Sequence, residues 1–377
     1  MPLDTSLLKP DMPMNTRSPL FPERIYSLDV LRGIAALAVV FWHWQHFFYV
    51  GDSPKNFNGV AQPLFEWFRL PYQRGALAVE LFFCISGFVF FWLFSKRIAE
   101  RSLSASRFLI DRFSRLYPLH LVTLIGVAAL QLLYSTSHGS YFVYQSNDLY
   151  HAMLNILLIP AWGFENGWSF NAPIWSVSVE VMLYAIMFAA CLTRSGRYLI
   201  VPSLIVLGYF LYPNNYKLGS GIFTFFCGGA TFMLMEWLGQ RSNARTVLAV
   251  TMLVAAGAWG FVWQAEKVSL YVLMGLAFPA LVALLAAISV VVPGFLRPFS
   301  AVGDISYASY LLHFPLQIIF ALVVDSLGAE RSIFYSPWML VFFITVLIPL
   351  SYASHRYFEI PMQNALRRIY ITRAKKP

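Results

Sequence analysis

A chain of 377 residues that is 58% hydrophobic and only 12% charged carries about half the charge of an ordinary soluble domain. That composition excludes a water-soluble globular protein and predicts an all-α, polytopic transmembrane bundle. The net charge of +9 is gathered at one membrane face, as the loop pattern below shows, so anionic lipid or an anionic cytosolic cofactor is the expected neighbour and nucleic acid is not.

Residues 1–25 are polar and proline-rich (Pro2, Pro10, Pro13, Pro19, Pro22) and read as a disordered cytoplasmic leader. The apolar run that follows is long enough to span and has no small-residue cleavage site after it, so it is expected to stay as the first transmembrane helix. Apolar stretches of about 18 residues or more mark spans, and ten are predicted, near 30–50, 76–95, 117–135, 173–193, 197–212, 219–238, 246–264, 269–292, 305–325 and 337–355. The fifth is short. A further apolar piece, His151 to Ala161 with Pro160 near its end, is too short to cross and reads as re-entrant or interfacial.

Basic residues test this arrangement, because cytoplasmic loops carry the excess of lysine and arginine. Twenty of the 27 fall on the side of the N-terminus, among them Lys96, Arg97, Arg101, Arg107, Arg112 and Arg115 in one loop and Arg367, Arg368, Lys375 and Lys376 in the tail. Six fall on the other side and Arg32 lies within the first span. Both termini are therefore expected in the cytoplasm, and the loop Thr136 to Ala172, which has no lysine or arginine, outside. One integral membrane domain is expected over 26–358, with a basic cytoplasmic tail at 359–377 and no repeat of 20 to 50 residues. Cys84, Cys191 and Cys227 stand singly in apolar runs and read as packing residues, without a thiolate metal site.

In the first span, Arg32 and His43 are eleven residues apart. That is about three helical turns, so the side chains share a face and are separated by about 16 Å along the axis. Ionisable groups inside a bilayer usually face the bundle interior and mark function; the alternative is a histidine satisfied by a neighbouring helix. Asp29, three residues before Arg32, can hold the guanidinium. Ala36, Val39 and Val40 leave a slender groove between the two, suited to a long, thin ligand with an anionic head. His46 raises a metal reading, but two histidines without a nearby carboxylate are weak support for it.

The second span brings Glu80 and the pair Ser86-Gly87. Gly87 permits close helix contact, and Ser86 either serves a ligand or returns its hydroxyl to the backbone. Arg112 and Arg115, in the following inner loop, would face one side of a helix as phosphate recognition requires; plain positive-inside charge is the competing reading. Tyr117-Pro118 is expected to mark where the third span starts.

The fourth span opens Asn171-Ala172-Pro173-Ile174-Trp175-Ser176 and puts Ser176 and Glu180 one turn apart. Glu180 lies in the apolar region and needs a partner. It falls at a depth similar to His43, where a carboxylate would orient the imidazole and raise its basicity, as in a general base. In the ninth span Tyr307, Tyr310 and His313 form a polar stripe.

In order along the chain, Ser27-Leu28-Asp29-Val30-Leu31-Arg32-Gly33 through His43, Glu80-Leu81-Phe82-Phe83-Cys84-Ile85-Ser86-Gly87, Arg112-Phe113-Ser114-Arg115-Leu116-Tyr117-Pro118, Trp175-Ser176-Val177-Ser178-Val179-Glu180, Ser306-Tyr307-Ala308-Ser309-Tyr310-Leu311-Leu312-His313 and His355-Arg356-Tyr357-Phe358-Glu359-Ile360-Pro361 resemble the bacterial membrane-bound acyltransferase family three. The resemblance runs from 25 to 362. It implies O-acyl transfer, usually of acetyl from acetyl-CoA, to hydroxyls of surface polysaccharides, lipid-linked sugars, peptidoglycan or secondary metabolites, in the bacterial cytoplasmic membrane. By resemblance, Arg32 and His43 match the family's arginine-and-histidine signature, and Arg112 and Arg115 its cytoplasmic arginine pair.

The implied site has His43 and Glu180 as catalytic groups and Arg32, Arg112, Arg115 and Tyr117 toward acyl-CoA. Asp29, Glu80, Ser86, Trp175, Ser176, Tyr310 and His313 are placed toward substrate, and no metal is expected. Glu80 stands where many members have aspartate. Some members carry an additional esterase-like domain; none is expected here, so any extracytoplasmic second step would need a partner protein. The competing class is a transporter of sugar, lipid or protons that uses the same histidine and glutamate as a relay. It predicts an inverted repeat or paired broken helices, which the sequence does not show.

Overall fold

The structure is a computed structural model that describes residues 20–171 and 173–374, with the side chains of Arg373 and Ala374 excepted. Most of the expected leader, together with Lys375 and Lys376, lies outside the described residues.

The chain runs α1 (Tyr26–Trp42), a 3-10 segment (His43–Phe48), a two-residue antiparallel pair β1 (Tyr49–Val50) and β2 (Ser53–Pro54), α2 (Phe65–Arg74), α3 (Ala78–Ala99), α4 (Ala105–His138) and α5 (Leu149–Ile156). It continues through α6 (Ile174–Leu192), α7 (Arg197–Leu211), α8 (Tyr216–Gly239), α9 (Ala244–Gln264), α10 (Leu270–Val272), α11 (Phe278–Val291), α12 (Ser300–Asp304), α13 (Ser306–Ser326), α14 (Pro337–Ala353) and α15 (Ile360–Ala374). Short polar caps start several of these helices. Asp148 accepts from His151 N, Asn215 from Leu218 N and Asn243 from Thr246 N, satisfying amides that an α-helix leaves open.

Among the described residues nine helices are long and apolar enough to cross a membrane, and the chain is a multi-pass membrane protein with an all-α fold. The fifth predicted span, 197–212, is α7, a helix of 15 residues that is not among those nine. The piece at 151–161 forms α5, of eight residues, and a 3-10 turn at Pro160–Trp162.

Three boundaries differ from expectation. The basic loop before the third span is already helical from Ala105, and Pro118 sits inside α4 instead of starting it. Charge marks where a chain leaves the apolar phase, whereas helix limits follow caps and backbone bonds. The α geometry of the first span changes to 3-10 at His43. The basic tail continues as helix through α15 after a π turn at Ser354–Glu359.

The described chain divides into two compact units. The first holds 20–35, Val79–Ala105 and Val179–Asp304; the second holds Ala36–Ala78, Ser106–Ser178 and the chain from Ile305 onward. Within the first, α3 meets α8 through glycines: a Cβ on Gly87 would strike the Phe225 backbone, and one on Gly228 the Cys84 carbonyl. Small residues permit this approach, as the sequence predicts for Gly87. Within the second, Trp44, Phe47, Phe334 and Phe343 make an aromatic core. Phe47 stacks on Phe334 at 3.7 Å and Trp44 Nε1 donates to the Phe334 carbonyl at 2.9 Å, so the 3-10 segment carrying His43 is fixed by its neighbours.

Candidate active site

In the second unit the polar centre is built by the end of the first span and one face of α13. His43 Nδ1 and His313 Nε2 lie 2.8 Å apart, and the rings are nearly parallel, 18° apart with centroids at 5.0 Å. His313 Nδ1 is 3.3 Å from the carbonyl of Ser309, one turn earlier on α13. Gln317, one turn later, donates from Nε2 to the His43 carbonyl at 2.8 Å and turns Oε1 to His46 Nδ1 at 3.2 Å. Tyr144 Oη lies 3.3 Å from His46 Nε2, and the His43 and His46 rings stack at 4.6 Å.

Of the three imidazoles, His46 and His313 are buried, at 4% and 0% exposure. His43 is half-buried and its Nε2 makes no hydrogen bond among the described residues. With Nδ1 bonded, that nitrogen is the chemically available atom of the cluster.

Elsewhere in this unit, Tyr310 and Ser176 join at 2.8 Å, and Ser176 Oγ also reaches the Pro173 carbonyl at 3.0 Å. The carbonyl accepts, so Ser176 donates to it and receives the Tyr310 proton. Asn171 Nδ2 donates to the Leu311 carbonyl at 3.0 Å. That carbonyl is free of its normal helical partner, because the residue four positions on is Pro315, which has no N–H. Trp175 is half-buried with its ring 6.3 Å from that of Trp168.

α4 carries Arg112, buried, and Arg115, half-buried. Tyr117 stacks on Phe113 at 4.3 Å, and Tyr307 Oη donates to the Leu116 carbonyl at 2.6 Å, joining α13 to α4. His120, a residue the sequence reading passed over, bonds through Nε2 to the Asn155 carbonyl at 2.8 Å and fastens α5 to α4.

In the first unit, Arg32 donates to the Gly303 carbonyl at 3.1 Å and pairs with Asp29 at 3.5 Å. Arg24 bridges Asp29 at 2.6 Å and Asp304 at 2.8 Å. The Asp29 and Arg32 pair was expected from their spacing; Arg24 and Asp304 were not. Close packing at Gly33 and Gly303, where an added Cβ would strike the Val302 and Asp29 backbones, brings α12 within the guanidinium's reach.

Ser86 Oγ donates to Glu180 Oε1 at 2.6 Å, so its hydroxyl serves a carboxylate instead of its own backbone. Glu80 is buried, and its Oε2 has no hydrogen-bond partner among the described residues. The sequence reading offered Glu180 as the partner of His43; within the second unit His43 Nδ1 is bonded to His313, and within the first Glu180 accepts from Ser86.

The profile of the acyltransferase domain family matches residues 25–356. The chain belongs to acyltransferase family 3. Among curated proteins, this acyltransferase-family chain is 37% identical over 108 residues to "Protein 2 in picA locus" of Rhizobium radiobacter, covering 29% of this chain and 46% of that protein. It is 32% identical over 166 residues to "Acyltransferase MdmB" of Streptomyces mycarofaciens, covering 43% of this chain and 38% of that one. The matches thus span less than half of either relative. No solved structure matches the chain. Among the described residues no group of three or more His, Cys, Asp and Glu side chains could hold a metal ion.

The residue most clearly missed from sequence is Gln317. Its signal was available: it lies four residues after His313, on the same face of an apolar helix, and extends the stripe of Tyr310 and His313 by one turn.

Proposed function

We propose that this chain is a membrane O-acyltransferase that moves an acyl group, acetyl in the first instance, from cytosolic acyl-CoA to a hydroxyl of a cell-surface polysaccharide, lipid-linked sugar or similar acceptor. The observation that carries the reading is the uncommitted Nε2 of His43, on a ring whose Nδ1 is hydrogen-bonded and whose neighbours are packed aromatics. A base so held is what hydroxyl attack on a thioester needs. His43 Nε2 takes the acceptor's proton as its oxygen bonds to the thioester carbonyl carbon; the C–S bond breaks, and the same proton passes to the departing thiolate.

Arg112 and Arg115 on α4, and separately Arg32, are assigned to the CoA phosphates, with Tyr117 two residues after Arg115. Glu180, which accepts from Ser86 Oγ, is retained as a second catalytic group. Ser176, Tyr310, Trp175 and Glu80 are assigned to the acceptor side. The twenty-to-six distribution of basic residues supports cytoplasmic termini in a bacterial cytoplasmic membrane. The name of the Streptomyces relative supports acyl transfer.

The test is purified protein with labelled acetyl-CoA, following CoA release with and without candidate glycans. Acceptor-dependent release is expected, with a loss of about 10²-fold or more in His43→Ala. Full activity in that variant, or solute flux without CoA consumption, would replace this reading with the transporter.

A further inference from the structure

His313 was placed toward substrate by sequence, yet it is fully buried and both of its ring nitrogens are engaged inside the protein. We infer that His313 is the positioning residue of the transfer, selecting through its hydrogen bond the tautomer of His43 that leaves Nε2 free to take the acceptor proton. This role rests on the reading of His43 as the base.

The direction of the hydrogen bonds follows from one fixed point. The Ser309 carbonyl can only accept, so His313 Nδ1 carries a proton and, in the neutral ring, Nε2 presents a lone pair. His43 Nδ1, 2.8 Å away, must then be the donor, and the lone pair of neutral His43 falls on Nε2. An opposite tautomer of His43 would set two lone pairs against each other.

A second fixed point holds the backbone. The Gln317 amide has one orientation that satisfies both of its contacts, with Nε2 to the His43 carbonyl and Oε1 to His46 Nδ1. His46 Nε2 is then an acceptor for Tyr144 Oη. His313 and Gln317, one turn apart on α13, thus grip the ring and the main chain of the same residue.

This resembles the division of labour in a catalytic triad, in which a third group fixes the imidazole tautomer without touching substrate. Here the orienting atom is a neutral nitrogen instead of a carboxylate. It fixes direction without adding a counter-charge for the imidazolium that forms during transfer.

The experiment compares His43→Ala, His313→Leu and His313→Gln in the acyl-CoA assay, with 15N-histidine NMR of the detergent-solubilised wild type and variants. Gln places an amide oxygen near the position of Nε2 and can still accept from His43; Leu cannot. Expected results are a fall in kcat of about 10²-fold or more for His313→Leu with KM for acyl-CoA within about threefold, and recovery of at least tenfold of that loss in His313→Gln. NMR should show His43 protonated at Nδ1 in the wild type and a mixture of tautomers in His313→Leu.

Equal losses in the Leu and Gln variants, a loss confined to KM, or a wild-type His43 protonated at Nε2 would each overturn the role. Should His313→Leu fail to fold, the Gln variant and the wild-type NMR decide. An active His43→Ala removes the function proposed above; an inactive His43→Ala beside a fully active His313→Leu removes only the positioning role.

Discussion

The two ends of the first transmembrane segment hold polar side chains in opposite ways. At its start, Arg24, Asp29, Arg32 and Asp304 form alternating ion pairs of 2.6, 2.8 and 3.5 Å. At its finish, hydrogen bonds run from the Ser309 carbonyl, which can only accept, through His313 to His43 and end at a nitrogen left unused, while Gln317 braces His46 and the His43 carbonyl. The first arrangement is closed, since each charge is answered by the next. The second is open at one atom, and an open valence, more than a buried charge, marks where chemistry can occur.

After the His43 and His313 variants, the largest departure from this contrast is expected at Gln317. Gln317→Leu removes the donor to the His43 carbonyl and the acceptor of His46 together, so kcat should fall by about 10-fold or more as the His43 ring shifts and stability by about 1–3 kcal/mol from the orphaned groups. A variant with wild-type kcat would show that the main-chain bond is incidental. Arg115→Ala comes next: it should raise KM for acyl-CoA about tenfold, the value of one charge-assisted hydrogen bond, while kcat holds. An unchanged KM would count against phosphate contact on α4.

At the closed end, Arg32→Ala should lower thermal stability in detergent by about 1–3 kcal/mol and raise KM for acyl-CoA, with Arg32→Lys smaller in both. A stability loss with KM unchanged would remove Arg32 from the donor side. The smallest effect is a control at the start of α5. The His151 backbone amide and then its ring hold the Asp148 carboxyl below its usual range. A lowered folded-state pKa stabilises above the unfolded value and is lost as pH falls through the folded one. Fraying of α5, read by hydrogen exchange, should therefore appear only in acid, below about pH 4, and Asp148→Asn should remove that dependence.

Much of this was legible in the sequence because a bilayer dictates it. Spans such as Ile174–Leu192, Ala244–Gln264 and Ser306–Ser326 lie within a few residues of their apolar runs, since hydrophobic length is set by membrane thickness. Asp29 beside Arg32 followed from helical spacing. What escaped was lateral. Depth along a helix can be counted, but nothing in the chain says that α13 and not another helix faces His43, or that the backbone turns 3-10 at that residue. Pro118 misled for a related reason: a proline can lie within a membrane helix when neighbouring groups satisfy the freed carbonyl.

Pro315 shows the same principle and carries a consequence for sequence variation. Because it withholds an N–H from the Leu311 carbonyl, Asn171 is needed to supply one. Pro315→Ala would restore the missing donor and make that amide redundant. The two positions, 144 residues apart in the chain, are therefore one unit of inheritance: Asn171→Ala should be deleterious beside proline and nearly silent beside alanine. Homologous chains should keep or lose the pair together.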